Sequence, residues 1–180
     1  MTLFLISMSI MLILLLMAIV FLLLSVTYEF IGLTAAPWVP TSQNDIKRFL
    51  KIAAIQQGQK FYDLGCGDGR IIVAAIKAGA NAEGFEISPF PYLLSLFRFF
   101  FLKNHKAKIR YENFWGKGLG DADIIYFYLM PEAIPKLKLK LESELKKGTK
   151  IISFAWPING WDPVAVDIIK GRLNFYLYQI

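Results

Sequence analysis

Histidine and cysteine are almost absent from this sequence of 180 residues, which contains one of each, His105 and Cys66. A single cysteine excludes an internal disulfide framework and a multi-cysteine metal site. A single histidine argues against a zinc centre and against a Ser-His-Asp relay. We therefore predict that the protein has no metal site.

Charged side chains are missing from the N-terminal end, where Glu29 is the first of them. Leu3 to Leu24 is apolar except for Ser7 and Ser9. At about 1.5 Å per residue, a helix of this length crosses the hydrocarbon core of a bilayer, which is roughly 30 Å thick. A signal peptide is the main alternative, but no basic region precedes the run and no small-x-small site follows it. We predict an uncleaved transmembrane anchor over residues 1–30.

Basic residues begin only at Lys47, beyond the short flank where positive charge orients a transmembrane helix most strongly. The uncharged N-terminal tail crosses a membrane easily. We therefore expect a single-pass protein whose C-terminal domain faces the cytoplasm, or the matrix in an organelle.

The rest of the chain suits one domain, with a linker loop and capping helix over residues 31–58 and a core over residues 59–180. Pro37 and Pro40 hold their neighbours extended, so Trp38 is presented on a stiff loop or serves as a membrane-interface tryptophan. Ser42 and Asp45 resemble a capping box that begins a helix, which we expect to reach Ile55 and to end before Gly58.

Strand and helix patterns alternate through the core, which predicts a mostly parallel sheet with helices on both faces. Two final strands, at 164–169 and 173–180, read as an antiparallel hairpin and bring the expected sheet to seven strands. The other strands are predicted at 60–64, 81–87, 107–111, 123–129 and 149–155, and the helices at 69–78, 91–103 and 132–146.

The stretch from Lys60 to Arg70 organises the core. A short apolar strand carries Asp63 and ends in alternating glycines, Gly65, Gly67 and Gly69, before a helix begins. Such glycines let a ligand approach the backbone, and the N–H groups that open the helix face it. The spacing departs from the dinucleotide fingerprint G-x-G-x-x-G. It resembles motif I of the class I S-adenosylmethionine-dependent methyltransferases, where a carboxylate suits an ammonium and a sulfonium.

A second acid, Glu86, ends the next predicted strand, 21 residues after Gly65. An acid about 20 residues beyond the first glycine accepts hydrogen bonds from ribose in nucleotide-binding α/β units. The alternative is a plain tight turn with a surface acid.

Further candidates follow the carboxyl ends of the other strands, where ligands bind in open α/β sheets. Asn113 and Phe114 are candidates for the adenine contact, although Asn113 also suits a surface turn. Tyr128 and Glu132 are candidates for helping an acceptor amine lose its proton. The full set of predicted cofactor-binding residues is Trp38, Thr41, Asp63, Gly65, Cys66, Gly67, Gly69, Glu86, Asn113 and Phe114.

The predicted helix at 91–103 is apolar almost all round, with only Ser95 and Arg98 as polar residues. Its outer side either contacts lipid, the membrane helix or a membrane-embedded substrate, or is covered by a larger core. The lysines near Lys136 read as a solvated helix face beside anionic lipid, so we predict no nucleic-acid partner.

Six short motifs follow the apolar helix in order: Pro37–Thr41, Asp63–Arg70, Gly84–Pro89, Asn113–Trp115, Leu129–Pro131 and Trp161–Pro163. Together they resemble the small membrane-anchored protein-lysine methyltransferases whose eukaryotic members modify the ATP synthase c subunit and the adenine nucleotide translocase. The resemblance implies S-adenosylmethionine as cofactor and lysine N-methylation of an integral membrane protein. Methylation of a lipid, quinone or other membrane small molecule is one alternative, and a non-catalytic nucleotide-binding module is another.

Overall fold

A computed structural model describes residues 2–34, 38–100 and 107–180, without the side chains of residues 2, 3, 5 and 26–34. Pro37, His105 and the end of the helix predicted at 91–103 lie outside these ranges. The chain divides into two compact units, Met1–Pro37 and Trp38–Ile180.

The first unit is one helix, α1, which spans Thr2–Thr34. Within it, Ile6–Ser25 is long and apolar enough to cross a membrane. Two serine hydroxyls bond back to carbonyls of the preceding turn, Ser7 to Phe4 at 2.8 Å and Ser25 to Phe21 at 2.9 Å. These bonds satisfy the serine hydroxyls inside the helix, which apolar surroundings require.

The second unit is built on one seven-stranded sheet with the order β3-β2-β1-β4-β5-β7-β6. The first five strands are parallel, and β6 and β7 add the predicted antiparallel hairpin at one edge. The strands are shorter than predicted at the hairpin, which leaves a longer connecting loop at 168–174. The bounds are β1 Lys60–Leu64, β2 Asn81–Glu86, β3 Ala107–Tyr111, β4 Ile124–Phe127, β5 Lys150–Phe154, β6 Ala165–Asp167 and β7 Phe175–Gln179.

The helices of this unit are α2 Gln43–Ala53, α3 Arg70–Lys77, α4 Pro89–Phe100 and α5 Ile134–Glu144. Ser42 caps α2 as predicted, because its hydroxyl accepts from the Asp45 N–H at 3.2 Å. Helix α2 ends before Gly58, as predicted, but at Ala53, two residues short of the predicted end near Ile55. Ala54 adopts a left-handed conformation, with φ of 43°, and closes the helix through its N–H to the Leu50 carbonyl.

The helix predicted at 132–146 is divided. Pro131–Ala133 forms a 3-10 turn, and α5 follows it from Ile134. Pro135 lies in the first turn of α5, where its missing N–H costs no helical hydrogen bond. Another 3-10 turn, Phe114–Gly116, leads into the glycines at 116–120, which follow no strand.

The core on one face of the sheet joins the sheet to α2 and α3. Phe49 of α2 is fully buried, with its ring 5.7 Å from Phe61 and 5.1 Å from Tyr126. Alternate residues of the same strands point to the other face. Leu137 and Leu141 of α5 are fully buried, so helices cover both faces as predicted.

Helix α4 buries only part of its surface. Ser95 is fully buried, whereas Phe90 and Leu93 are more than half exposed. Within the second unit, no larger core covers Phe90 and Leu93, so that alternative is wrong for these two residues. Helix α4 presents an apolar outer surface there.

Arg48 ties α2 to the C-terminal hairpin. Its guanidinium donates to Asp167 at 2.6 Å, to the Leu173 carbonyl at 2.8 Å and to Asp45 at 2.8 Å. Burial alone would raise the pKa of Asp45, but hydrogen bonds from Ser42 and Arg48 lower it below its usual value. The network holds the hairpin against the start of α2.

We expect Arg48→Met to lower the free energy of unfolding by about 2 kcal/mol, because it strands polar groups that the guanidinium now satisfies. Urea denaturation of the detergent-solubilised protein, followed by tryptophan fluorescence, measures this change. Lys51→Met, an exposed substitution on the same helix, should cost less than about 0.5 kcal/mol. Equal losses from the two variants would contradict the role given to Arg48.

Candidate active site

The glycine turn between β1 and α3 lies at the carboxyl end of the sheet. Gly65, Gly67 and Gly69 all have positive φ, as their spacing predicts. A Cβ at Gly67 would lie 2.7 Å from the Trp38 indole, and one at Gly69 would lie 2.9 Å from the Phe99 ring. The turn therefore needs glycine for its backbone conformation and for the close approach of neighbouring rings.

Glu86, the last residue of β2, fixes this turn. Its Oε2 accepts from the Gly67 N–H at 2.8 Å, and its Oε1 accepts from Ile87 and Ser88 at 2.9 and 2.7 Å. Each carboxylate oxygen has two lone pairs, so Oε2 keeps one acceptor position. Glu86 is thus a structural clamp with one position left for a ligand hydroxyl.

Asp63 is a buried acid with one unpaired oxygen and a raised pKa. Only 1 % of its surface is exposed, and its Oδ1 has no hydrogen-bond partner among the described residues. Burial raises the pKa of Asp63 well above its usual value, and the nearby charges of Glu86 and Asp68 add to the rise. A buried acceptor without a donor attracts a cationic hydrogen-bond donor.

Tyr126 lies beside Asp63 on the neighbouring strand, and the two residues are direct register partners. Its hydroxyl is buried and makes no hydrogen bond of good geometry within the described ranges. Burial raises the pKa of Tyr126 well above its usual value, Asp63 adds to the rise, and the buried Thr41 side chain opposes it. Thr41 and Trp38, both predicted from sequence, therefore lie at the same end of the sheet as Asp63 and Gly67.

Asp68, inside the glycine turn, joins two helices and the incoming segment. It pairs with Arg70 at 2.7 Å and with Arg98 of α4 at 2.6 Å. Arg70 also donates to the Thr41 carbonyl at 2.6 Å. Burial raises the pKa of Asp68, but the hydrogen bond and charge of Arg70 reverse the effect and leave it lowered. Asp68 is thus held as a carboxylate.

Cys66 is buried within the turn, against Gly84 of β2, where an added Cβ would lie 2.8 Å from its side chain. Burial raises the pKa of its thiol well above the usual value, and Asp63 adds to the rise. The thiol therefore stays protonated and packs as a small apolar group.

Asn113 and Phe114 follow β3, as predicted. Asn113 is exposed, and its side-chain oxygen accepts from the Trp115 N–H at 3.1 Å, which caps the 3-10 turn. Phe114 is buried, with its ring 4.7 Å from that of Trp115. In this structure the Asn113 side chain has a local structural partner, and Phe114 supplies an apolar wall.

Tyr128 and Glu132 follow β4 at the same end of the sheet. Tyr128 is half-buried, with its ring 4.7 Å from that of Phe154. Burial raises the pKa of Tyr128, and the charge of Asp45 adds to the rise. Glu132 is exposed on the 3-10 turn. Tyr128 is therefore a neutral phenol near pH 7, able to position an amine by hydrogen bonding.

Sequence reasoning missed three contributors: Tyr126, Asp68 and Arg98. The signal for Tyr126 was its place in β4 opposite Asp63, which needs the strand register. The signal for the ion pair was Arg98, an arginine in an otherwise apolar helix, which needs a buried partner.

The residues that the structure describes do not form a cluster of metal ligands. Among residues 2–34, 38–100 and 107–180, no group of three histidine, cysteine, aspartate or glutamate side chains is placed to hold an ion.

Comparison with known proteins confirms the family resemblance seen in the sequence. Residues 63–165 match the sequence model of the ANTKMT methyltransferase domain. A protein-lysine N-methyltransferase of Saccharolobus islandicus is 38% identical over an alignment of 152 residues, and the match covers 80% of this chain and 93% of that protein.

Two vertebrate relatives are longer than this chain. The adenine nucleotide translocase lysine N-methyltransferase of Mus musculus is 32% identical over 80% of this chain and 63% of its own length. The Rattus norvegicus lysine N-methyltransferase named for the ATP synthase c subunit is 31% identical over 71% of this chain and 59% of its own length. The chain thus spans less than two thirds of either relative.

Solved structures share the fold. An RNA methyltransferase from Salinibacter ruber, in complex with S-adenosyl-L-homocysteine, has a TM-score of 0.74 and 26% identity over 79% of this chain and 94% of that chain. The ribosomal protein L11 methylase from Lactobacillus delbrueckii has a TM-score of 0.65 and 14% identity over 81% of each chain. The predicted class I methyltransferase fold is confirmed.

The residues at the site fit the cofactor of this fold. The unpartnered Asp63 Oδ1 suits an ammonium group, and the remaining acceptor position on Glu86 Oε2 suits a ribose hydroxyl. The expectations of an enzyme and of S-adenosylmethionine as methyl donor are confirmed, which sets the non-catalytic alternative aside. The chain belongs to the family of S-adenosylmethionine-dependent protein-lysine N-methyltransferases that the ANTKMT methyltransferase domain defines.

Proposed function

We propose that this methyltransferase is held in a membrane by α1 and modifies a lysine of an integral membrane protein. The observation that carries the proposal is the span Ile6–Ser25, an apolar helix at the start of a chain whose second unit holds a complete methyltransferase sheet. Two of its relatives are named for lysines of the ATP synthase c subunit and the adenine nucleotide translocase. A membrane lipid or quinone acceptor is the competing candidate, since α1 and the apolar outer side of α4 suit it as well.

Asp63 and Glu86 divide the binding of the cofactor in this proposal. Asp63 accepts a hydrogen bond from the ammonium group, which relieves its own unpaired burial. Glu86 accepts from a ribose hydroxyl through the free position on Oε2, while its other bonds hold the glycine turn in place. Trp38, Thr41 and Phe114 form the neighbouring walls, and S-adenosylmethionine supplies the methyl group on its sulfonium.

The acceptor lysine must lose a proton before transfer, because its ordinary pKa is about 10.4. Entry into a site walled by Trp38, Phe90 and Tyr128 removes water and lowers that pKa. The neutral Tyr128 hydroxyl accepts a hydrogen bond from the amine and aligns its lone pair, and the released proton passes to solvent at the open side of the site, where the exposed Glu132 lies. In-line positioning in a water-poor site supplies much of the rate.

Labelling of membranes tests the proposed acceptor. With labelled S-adenosylmethionine and membranes of the source organism, we expect the label in N-methyllysine of a membrane protein after hydrolysis. Because the cofactor does not cross the bilayer, the label should appear in inside-out vesicles and not in right-side-out vesicles. Label in the organic extract would favour a lipid acceptor, and label in right-side-out vesicles would overturn the cytoplasmic placement.

Asp63→Asn should change cofactor affinity and stability in opposite directions. Loss of a charge-assisted hydrogen bond should weaken cofactor binding about 10- to 100-fold by calorimetry. The pKa of Asp63 is higher in the folded protein than in the unfolded chain. The carboxyl therefore destabilises the ligand-free fold more and more as the pH rises from the unfolded pKa toward the folded pKa. The variant should therefore melt at a higher temperature than wild type at pH 8, by a margin that shrinks as pH falls.

Asp123→Asn is the matched control at the opposite end of the sheet. The hydrogen bond from Lys146, and then that from the Lys60 N–H, lower the pKa of Asp123. Asp123→Asn should therefore lower the melting temperature at pH 8 and leave cofactor affinity unchanged. If both variants change the melting temperature in the same direction, the destabilising effect assigned to the Asp63 carboxyl is wrong.

Gly67→Ala tests the close approach in the turn. The new Cβ meets the Trp38 indole at a positive φ of 55°, so we expect cofactor affinity to fall more than tenfold. Gly148→Ala also has a positive φ but no atom within 4 Å of the new Cβ, so it should cost stability of about 1 kcal/mol and leave affinity unchanged. Wild-type affinity in Gly67→Ala would contradict the role in cofactor binding proposed for the glycine turn.

A further inference from the structure

The end of the second unit that holds the active site is unusually apolar. Six large side chains with over two fifths of their surface exposed lie near the carboxyl ends of the strands. Ile168 is 70% exposed and Leu93 is 61% exposed. We name the six the active-end rim: Val39, Phe90, Leu93, Met130, Trp156 and Ile168.

The topology places these residues at one end of the sheet. Val39 follows Trp38, whose indole lies against Gly67, and the Phe90 ring is 6.0 Å from that indole. Met130 and Trp156 follow the ends of β4 and β5, which are parallel neighbours. The rim therefore lies at the same end of the sheet as the glycine turn of the proposed cofactor site.

The hairpin loop projects from the same end. Phe154, the last residue of β5, pairs with Phe175, and Phe175 pairs with Asp167. The loop at 168–174 thus continues beyond the carboxyl end of β5, held there by Arg48. Its sequence combines exposed apolar residues with two basic ones, Ile168-Ile169-Lys170-Gly171-Arg172-Leu173.

The opposite end of the sheet has another character. There Lys60 pairs with Asp121, and Lys146 pairs with Asp123 at 2.7 Å. Ion pairs of this kind belong in water, whereas an apolar rim with interspersed basic residues is typical of surfaces that enter a lipid interface. The two ends of the domain therefore suit different surroundings.

We propose that the active-end rim docks on the surface of an anionic bilayer, so that the active site opens directly onto the lipid headgroups. This inference rests on the proposed membrane anchoring, because the second unit begins at Trp38, at this end, and an anchor that precedes Trp38 is attached here. Lys170 and Arg172 supply the positive charge that anionic lipid attracts, although Arg172 lies 3.6 Å from Asp45 and is partly neutralised by it.

Docking at this end defines the class of acceptor. A lysine at the end of a transmembrane segment extends its ammonium toward the headgroups, which is where the active site would open. A lysine on a distant soluble domain is not within reach of a site that faces the bilayer.

Depth-dependent quenching tests the docking in the full-length protein. A fluorophore on a cysteine placed at Leu93 is compared with one at Lys147, at the opposite end, in vesicles of phosphatidylcholine and phosphatidylglycerol with brominated acyl chains. The buried Cys66 is left in place, and unsubstituted protein measures background labelling. We expect at least twofold stronger quenching at position 93 than at position 147, and equal quenching would overturn the proposal.

A pair of rim and control substitutions separates docking from simple tethering by α1. Ile168→Glu with Ile169→Glu should reduce quenching at position 93 at least twofold, whereas Leu139→Glu on α5, where the side chain is 67% exposed, should leave it unchanged. Calorimetry should give the same affinity for S-adenosyl-L-homocysteine in the wild type, the double variant and Leu139→Glu. Quenching that is unchanged in the double variant would show that only the tether holds this end near lipid, and would overturn the proposal.

The same samples distinguish failure of docking from failure of the proposed function. Labelled membrane protein without selective quenching at position 93 would overturn docking and leave the methylation proposal standing. Selective quenching with label only in the organic extract would overturn the protein acceptor and leave docking standing.

Discussion

The Glu86 carboxylate is the constraint on which the site depends. By accepting three backbone N–H groups, two from the chain that follows β2 and one from the turn after β1, it locks two neighbouring loops to each other. Charge-assisted hydrogen bonds to backbone N–H groups are stronger than neutral ones. The glycine turn is thus rigid before any ligand arrives, so less ordering is required on binding.

Asp63 shows the complementary strategy. It lies in the same buried end but has an oxygen without a donor among the described residues, and its pKa is raised. A site that satisfies one acid and leaves the neighbouring acid unsatisfied stores destabilising free energy, which a bound cation would relieve. Rigidity from Glu86 and an unsatisfied acceptor at Asp63 therefore occur together at the carboxyl end of the sheet.

Much of this arrangement follows from the sequence, for reasons that differ by residue. The strand at 60–64, the positive φ of Gly65, Gly67 and Gly69 and the place of Glu86 follow from local pattern and spacing, which act over a few residues. The end of α2 was mispredicted because Ala54 takes a left-handed conformation that usually belongs to glycine. The bond from Asn113 to Trp115, the pairing of Asp63 with Tyr126 and the exposure of α4 depend on register and packing, which no short stretch of sequence specifies.

Asp68 is less free to vary than the two arginines that pair with it. Arg70 comes from α3 and Arg98 from α4, and both reach the same Oδ2. If either arginine were replaced, the remaining one would still balance the acid, whereas loss of the acid would leave two guanidinium groups facing each other with no anion between them. Among descendants of this chain, mutational drift should therefore reach the arginines one at a time and spare the aspartate.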